Sequence, residues 1–266
     1  MFQHVFGGHD KLVSRVRISV AFSALLSLAL SPSAFSQAAS AGKREPAAMQ
    51  LVETAISRLG GGGEITNLQD LSVTGTCTLA ESPEGLTTNF TWIVSGREFR
   101  YEADGGNILV SGHGRSALSE AGVNQSVPAS SAEAQKPYFA PALLLFQEFS
   151  DPQYSVESLE PSSNVENLVE IGRVGAPGVF QRWHFDPSSG LPTQVDYRSP
   201  SVTAPSIGRY VSIVVSKYKP FDGILFPTEI STLRGASLER KCAVSEIRLD
   251  THPADSTFDL SLDGGY

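Results

Sequence analysis

Cysteine is almost absent from this 266-residue chain, which has only Cys77 and Cys242. No second cysteine lies close to either, so the paired spacing of a zinc finger or ribbon is excluded. Histidine is also sparse. Beyond the first fifty residues it occurs only as His113, His184 and His252, none in an H-x-H or H-x-x-x-H arrangement. No metal ligand set and no cofactor are implied. His184, beside Trp183, is the best placed to be partly buried, and it reads as a packed or surface histidine.

Catalytic signatures are missing as well. No Gly-x-Ser-x-Gly elbow occurs. Ser111-Gly-His-Gly114 and Gly60-Gly-Gly-Gly63 are glycine-rich but lack the Lys-Ser/Thr of a phosphate loop. Asp186, Asp196, Asp222, Asp250 and Asp255 mostly sit in turn contexts, where aspartate bonds its own backbone. No catalytic residue is assigned, and the chain reads as a non-enzyme.

Long apolar runs are lacking. The longest, Ile18–Leu30, has 13 residues and is broken by three serines. A bilayer-spanning helix needs about 20. Lys11, Arg15 and Arg17 precede this run, and Pro32 and the small residues Ala34, Ser36 and Ala38 follow it. These are the parts of a cleaved secretory signal, with processing expected after Ser36 or Ala38. The alternative is an N-terminal membrane anchor. No cysteine lies near the site to carry a lipid. The expected organisation is a signal peptide at 1–36, a flexible linker at 37–47 and one β domain at 48–266. The location is then periplasmic or secreted, without a transmembrane span after processing. Loss of 1–36 removes three basic residues and one acidic residue, taking the formal charge from −8 to about −10. That sign disfavours nucleic acid as a partner.

What is present is periodicity. Val52, Ala55, Ile56 and Leu59 recur at helical spacing and predict a helix from Pro46 to Leu59, stopped by Gly60–Gly63. The period then becomes two. Leu71, Val73, Cys77 and Leu79 alternate with Ser72, Thr74, Thr76 and Thr78. Short strands follow over Leu86–Ser95, Phe99–Ala103 and Ile108–Ser111, with a loop expected at 119–136. Pro137–Phe149 predicts a short, very apolar helix that must be covered on more than one side. The second half predicts strands near 153–159, 168–174, 179–186, 191–198, 209–219, 224–233 and 238–250. In the last of these the apolar parity shifts, from Cys242 and Val244 to Ile247 and Leu249, which predicts a bulge near Ser245. About ten strands in consecutive hairpins amount to an antiparallel sheet curled around the internal helix.

Several tracts in this order resemble the LolA/LolB-like superfamily of periplasmic lipoprotein carriers. They are the helix ending in Leu59-Gly60-Gly61, the Leu71–Cys77 strand with Gly75, Trp183–Pro192, Phe221–Ile230, Ile247–Asp250 and Asp255–Phe258. The resemblance implies a mainly β half-barrel. It would be a curved, unclosed antiparallel sheet with an N-terminal helix and an apolar helix on its concave face. It implies an apolar ligand, such as a lipid or a lipoprotein acyl chain, held on that face. The apolar side chains available for such a site are Trp92, Phe99, Tyr101, Phe139, Leu143, Leu144, Phe146, Trp183, Phe185, Ile213 and Phe226. The alternative is a structural or protein-interaction module of the cell envelope, with an envelope protein as partner. In an oxidising compartment Cys77 and Cys242 can form a disulfide, and otherwise they are two buried thiols.

Overall fold

The structure is a computed structural model, and it describes residues 42–68, 70–80, 86–120, 122–127, 140–159, 167–175, 180–200 and 208–260. The signal segment, residues 37–41 of the linker, Phe139 and residues 201–207 lie outside these residues.

Two helices open the described chain, α1 (Pro46–Leu59) and α2 (Gly61–Asn67). The first half of the sheet follows as β1 (Asp70–Leu79), β2 (Thr87–Ser95), β3 (Glu98–Ala103), β4 (Asn107–Gly112), β5 (Arg115–Glu120) and β6 (Val123–Ser126). Helix α3 (Pro141–Ser150) interrupts it. The second half is β7 (Tyr154–Leu159), β8 (Asn167–Arg173), β9 (Phe180–Phe185), β10 (Pro192–Pro200), β11 (Gly208–Phe221), β12 (Ile224–Arg234) and β13 (Ser237–Leu249). A short 3-10 turn, Asp255–Phe258, closes the described chain.

The thirteen strands form one antiparallel sheet in the order β6-β5-β4-β3-β2-β1-β13-β12-β11-β10-β9-β8-β7. Each half is a simple meander, and the halves join where β1 pairs with β13. The edges, β6 and β7, do not meet, so the sheet is not closed into a barrel. It is nevertheless strongly bent. α3 packs on β7, while Gln147 Nε2 donates to Gly96 O in the β2–β3 turn at 2.7 Å. Those two places are eight strand spacings apart, about 38 Å in a flat sheet. A ten-residue helix is about 15 Å long. Only a sheet wrapped around the helix satisfies both contacts.

The helices occupy one end of the concave face. α1 buries Ala48, Val52, Ala55, Ile56 and Leu59, the expected stripe with one alanine added. α3 buries Pro141 and Ala142–Leu145. Both pack on β12, where Ile224 and Phe226 are essentially fully buried. The glycine tract does more than end α1. Gly60 has φ +150° and its N–H bonds Ile56 O, after which Gly61 begins α2 at once. A side chain at Gly60 would lie 3.0–3.1 Å from Gly223 O and Ile224 Cα in the β11–β12 turn. The turn itself, Asp222-Gly223, has positive φ at both positions, as a two-residue hairpin needs.

The predicted bulge is present. Thr74 pairs with Glu246 but Gly75 pairs with Val244, which leaves Ser245 as the extra residue. Its hydroxyl donates to Thr74 O at 3.0 Å. One sequence expectation needs correction. Residues 115–126 hold the β5–β6 hairpin where a loop was expected from 119, because Arg-Ser-Ala-Leu-Ser-Glu carries little apolar alternation. Pro227 lies near the start of β12, where its missing N–H costs no ladder bond to β13. Its section of β12 runs beyond the pairing with β13, which begins at Glu229. Phe258 is buried outside the main core. It sits against Gly112, on the face of β3–β4 that carries Arg100, whose Nη1 donates to Thr257 O at 3.1 Å.

Candidate functional site

Alternation along paired strands determines which side chains share the concave face. One rung runs Trp183, Val195, Ile213, Thr232, Arg240, Leu79 across β9, β10, β11, β12, β13 and β1. The neighbouring rung runs Val215, Ile230, Cys242, Cys77. Cys77 and Cys242 are therefore directly opposed, with Cα atoms 4.0 Å apart, and they are joined by a disulfide.

The apolar candidates fall into two groups. Leu143, Leu144, Trp183, Phe185, Ile213 and Phe226 are all at most 5% exposed and belong to the continuous core around the helices. That end of the groove is filled. Trp92, Tyr101 and Phe146 are only partly buried. The Trp92 and Tyr101 rings pack with centroids 4.8 Å apart and planes tilted by 47°, and the buried Phe99 ring lies 5.4 Å from Trp92. Phe139 lies outside the described residues.

The open space lies at the other end of the same face. A cavity of about 210 Å³ is lined by Leu79, Tyr197, Val211, Thr232, Arg234, Glu239 and Arg240. Thr232 is six residues along β12 from Phe226, about 20 Å at strand rise. Tyr197, Val211 and Thr232 form its buried floor. Arg234 is neutralised by Glu239 at 2.6 Å. Arg240 Nη1 donates to Tyr101 OH at 3.4 Å, which brings the aromatic pair on β2–β3 to the same mouth. Burial pushes the Tyr197 phenol up to about 12, against the opposing pull of Arg240. Of the apolar candidates, Trp183 and Ile213 share the Thr232–Arg240 rung and Tyr101 touches Arg240, whereas Leu143 and Leu144 of α3 belong to the filled end.

Two polar groupings escaped the sequence reading. Glu148 of α3 is 2% exposed, and its Oε1 accepts from Gln181 Nε2 at 2.9 Å. Gln181 Oε1 in turn accepts from the Trp183 indole at 3.0 Å. A glutamate inside an otherwise apolar helical run was the available signal. On the convex face, His184 Nε2 lies 2.8 Å from Asp196 Oδ2, and Gln194 donates to Oδ1 at 2.8 Å. Burial alone would raise the Asp196 carboxyl. Hydrogen bonds from His184, Ser212 and Gln194 outweigh it and hold the carboxyl below its ordinary value. The carboxylate stands between the histidine and Ser212, so this His-Asp-Ser set does not place the imidazole on the serine as nucleophile activation requires.

Among the described residues no group of three or more histidine, cysteine, aspartate or glutamate side chains could hold a metal ion. No helix among them is long and apolar enough to cross a membrane.

The fold is similar to that of several solved structures. A putative outer-membrane lipoprotein-sorting protein domain from Vibrio parahaemolyticus aligns over 79% of this chain and 95% of its own, at 12% identity and TM-score 0.50. A DUF1329 family protein from Desulfovibrio piger aligns over 80% and 96%, at 14% identity and TM-score 0.50. A LolA superfamily protein from Nitrosomonas europaea aligns over 80% and 97%, also at 14% identity and TM-score 0.50. The chain shares their fold. At this identity the likeness is one of architecture. No family model and no curated protein matches the sequence.

Proposed function

We propose that this is an exported, non-catalytic binding protein that holds an apolar ligand, such as a lipid or acyl chain, in the open end of its concave sheet. One observation carries the reading: the helices fill one end of the groove, and a cavity of about 210 Å³ lies at the other, beside the partly buried Trp92 and Tyr101. Burying an acyl chain there contributes about 0.8 kcal/mol per methylene. Export is favoured by the N-terminal signal features and by the Cys77–Cys242 bond, which persists in an oxidising compartment. Native mass spectrometry of the protein purified without detergent from its own envelope fraction tests the proposal, with solvent extraction of anything bound. A lipid-sized adduct is expected. A bare chain that also fails to take up added dodecan-1-ol contradicts it.

A second reading, an envelope protein-interaction module, is favoured by the sheet edges. Residues 42–45 cover β7, through Lys43 O accepting from Val156 N at 2.8 Å and Glu45 N donating to Val156 O at 2.9 Å. Among the described residues no strand pairs with the outer side of β6, where Val123 is 66% exposed. An unpaired edge is a template for strand addition. A stoichiometric envelope partner lost on Val123→Pro would favour this reading.

A further inference from the structure

We propose that the ligand carries an anionic head group, a carboxylate or phosphate, and that Arg240 binds it. This rests on the reading of the groove as a ligand site and adds the chemistry of the head.

The cavity is lined by two guanidinium groups. Arg234 is held by Glu239 through two hydrogen bonds, at 2.6 and 3.4 Å. Among the described residues Arg240 has no carboxylate partner, and its one hydrogen bond is the 3.4 Å contact with Tyr101 OH. A guanidinium has five N–H donors in a planar fork that matches a carboxylate or phosphate. Arg240 is half-buried on the Ile213–Thr232–Leu79 rung, between apolar or hydroxyl side chains. A positive charge so placed, in a chain of formal charge −8, is not part of a general basic surface. It marks one point on the concave face where an anion gains a partner.

The walls supply the rest. Tyr197 and Val211 make a buried floor and Leu79 a half-open lip. The volume, about 210 Å³, lies below the roughly 300–1,000 Å³ typical of pockets for whole drug-sized ligands. The pocket therefore takes the head-proximal part of an amphiphile. The rest of the chain runs past the Cys77–Cys242 rung toward Trp92 and Tyr101, to which Arg240 already reaches.

The test uses three probes of one chain length: dodecanoate and dodecyl phosphate below their micelle concentrations, and dodecan-1-ol below its solubility limit. Binding to the full exported chain is measured by calorimetry. Both anions are expected to bind at least tenfold more tightly than the alcohol. Which anion binds better separates a carboxylate from a phosphate head. Arg240→Gln should bring the anions down to the level of the alcohol, and Arg240→Lys should recover part of the difference. Leu79→Trp, at the exposed lip, should weaken all three. Unfolding midpoints of each variant establish that it is folded. Equal binding of alcohol and anions, or no effect of Arg240→Gln, overturns the head-group assignment while leaving the apolar site standing. No binding of any probe overturns both.

Discussion

Cys77 and Cys242 occupy the same rung of the sheet, at the seam where the first strand meets the last. Each half is a meander of sequence neighbours, so this seam alone ties the β1–β6 wing to the β7–β13 wing within the sheet.

The disulfide bridges 165 residues of sequence. A cross-link closing so long a loop restricts the unfolded chain strongly, by about 5 kcal/mol in the chain-entropy estimate. Replacing both cysteines by alanine is expected to lower unfolding stability by about 2–5 kcal/mol. Urea titration of the wild type and the variant, with and without reductant, checks this. Reductant should bring the wild type close to the variant and leave the variant unmoved.

Gly75 lies beside that seam, opposite Phe90 on β2. A Cβ there would strike the Ala243 carbonyl oxygen and lie 2.8 Å from the Phe90 ring. Gly75→Ala should cost about 1–3 kcal/mol, as overpacking does. Since one collision is with backbone, Phe90→Ala in the same chain should not restore the loss. Thermal unfolding of the single and double variants decides it.

The buried link from α3 to β9 passes through Gln181. Gln181→Leu removes the donor to Glu148 Oε1 and the acceptor of the Trp183 indole. A loss of about 1–3 kcal/mol is expected from leaving buried polar groups without their hydrogen-bond partner. Chemical denaturation measures it, and a neutral outcome would mean that α3 is held by apolar packing alone.

Asp196 sets a pH dependence. Its folded pKa is depressed by His184, Ser212 and Gln194, so the unfolded chain binds the proton more readily. The stability it contributes is present above the unfolded value of about 3.9 and is lost as pH falls through the lower folded value. Asp196→Asn should flatten the acid limb of the stability profile below about pH 4, with little change in shape above it. Denaturation midpoints across pH 2–6 show whether it does.

Much of this fold was legible because one face of nearly every strand is buried. The parity slip after Val244 was enough to place the bulge at Ser245, and the Val52–Leu59 stripe was enough to place α1. The β5–β6 hairpin was not legible, since Val123 is exposed and Asn124-Gln-Ser126 carries no apolar face. Several of the apolar side chains offered for a ligand site lie in the core around α1 and α3. Sequence could not say which members were covered by α1 and α3, because that depends on where a bent sheet brings distant strands. Arg240 was invisible for the same reason. Its neighbours Tyr101 and Tyr197 lie about a hundred and forty and about forty residues away.

The central claim, that the open end of the concave sheet holds a ligand, is tested most directly at Trp92. The other tryptophan, Trp183, is fully buried, so iodide quenching of emission reports on Trp92. Saturation with dodecanoate should reduce the quenching and shift emission to the blue, and Leu79→Trp should be avoided in this measurement because it adds a fluorophore. Quenching that stays unchanged up to the solubility limit of the probe would contradict the account.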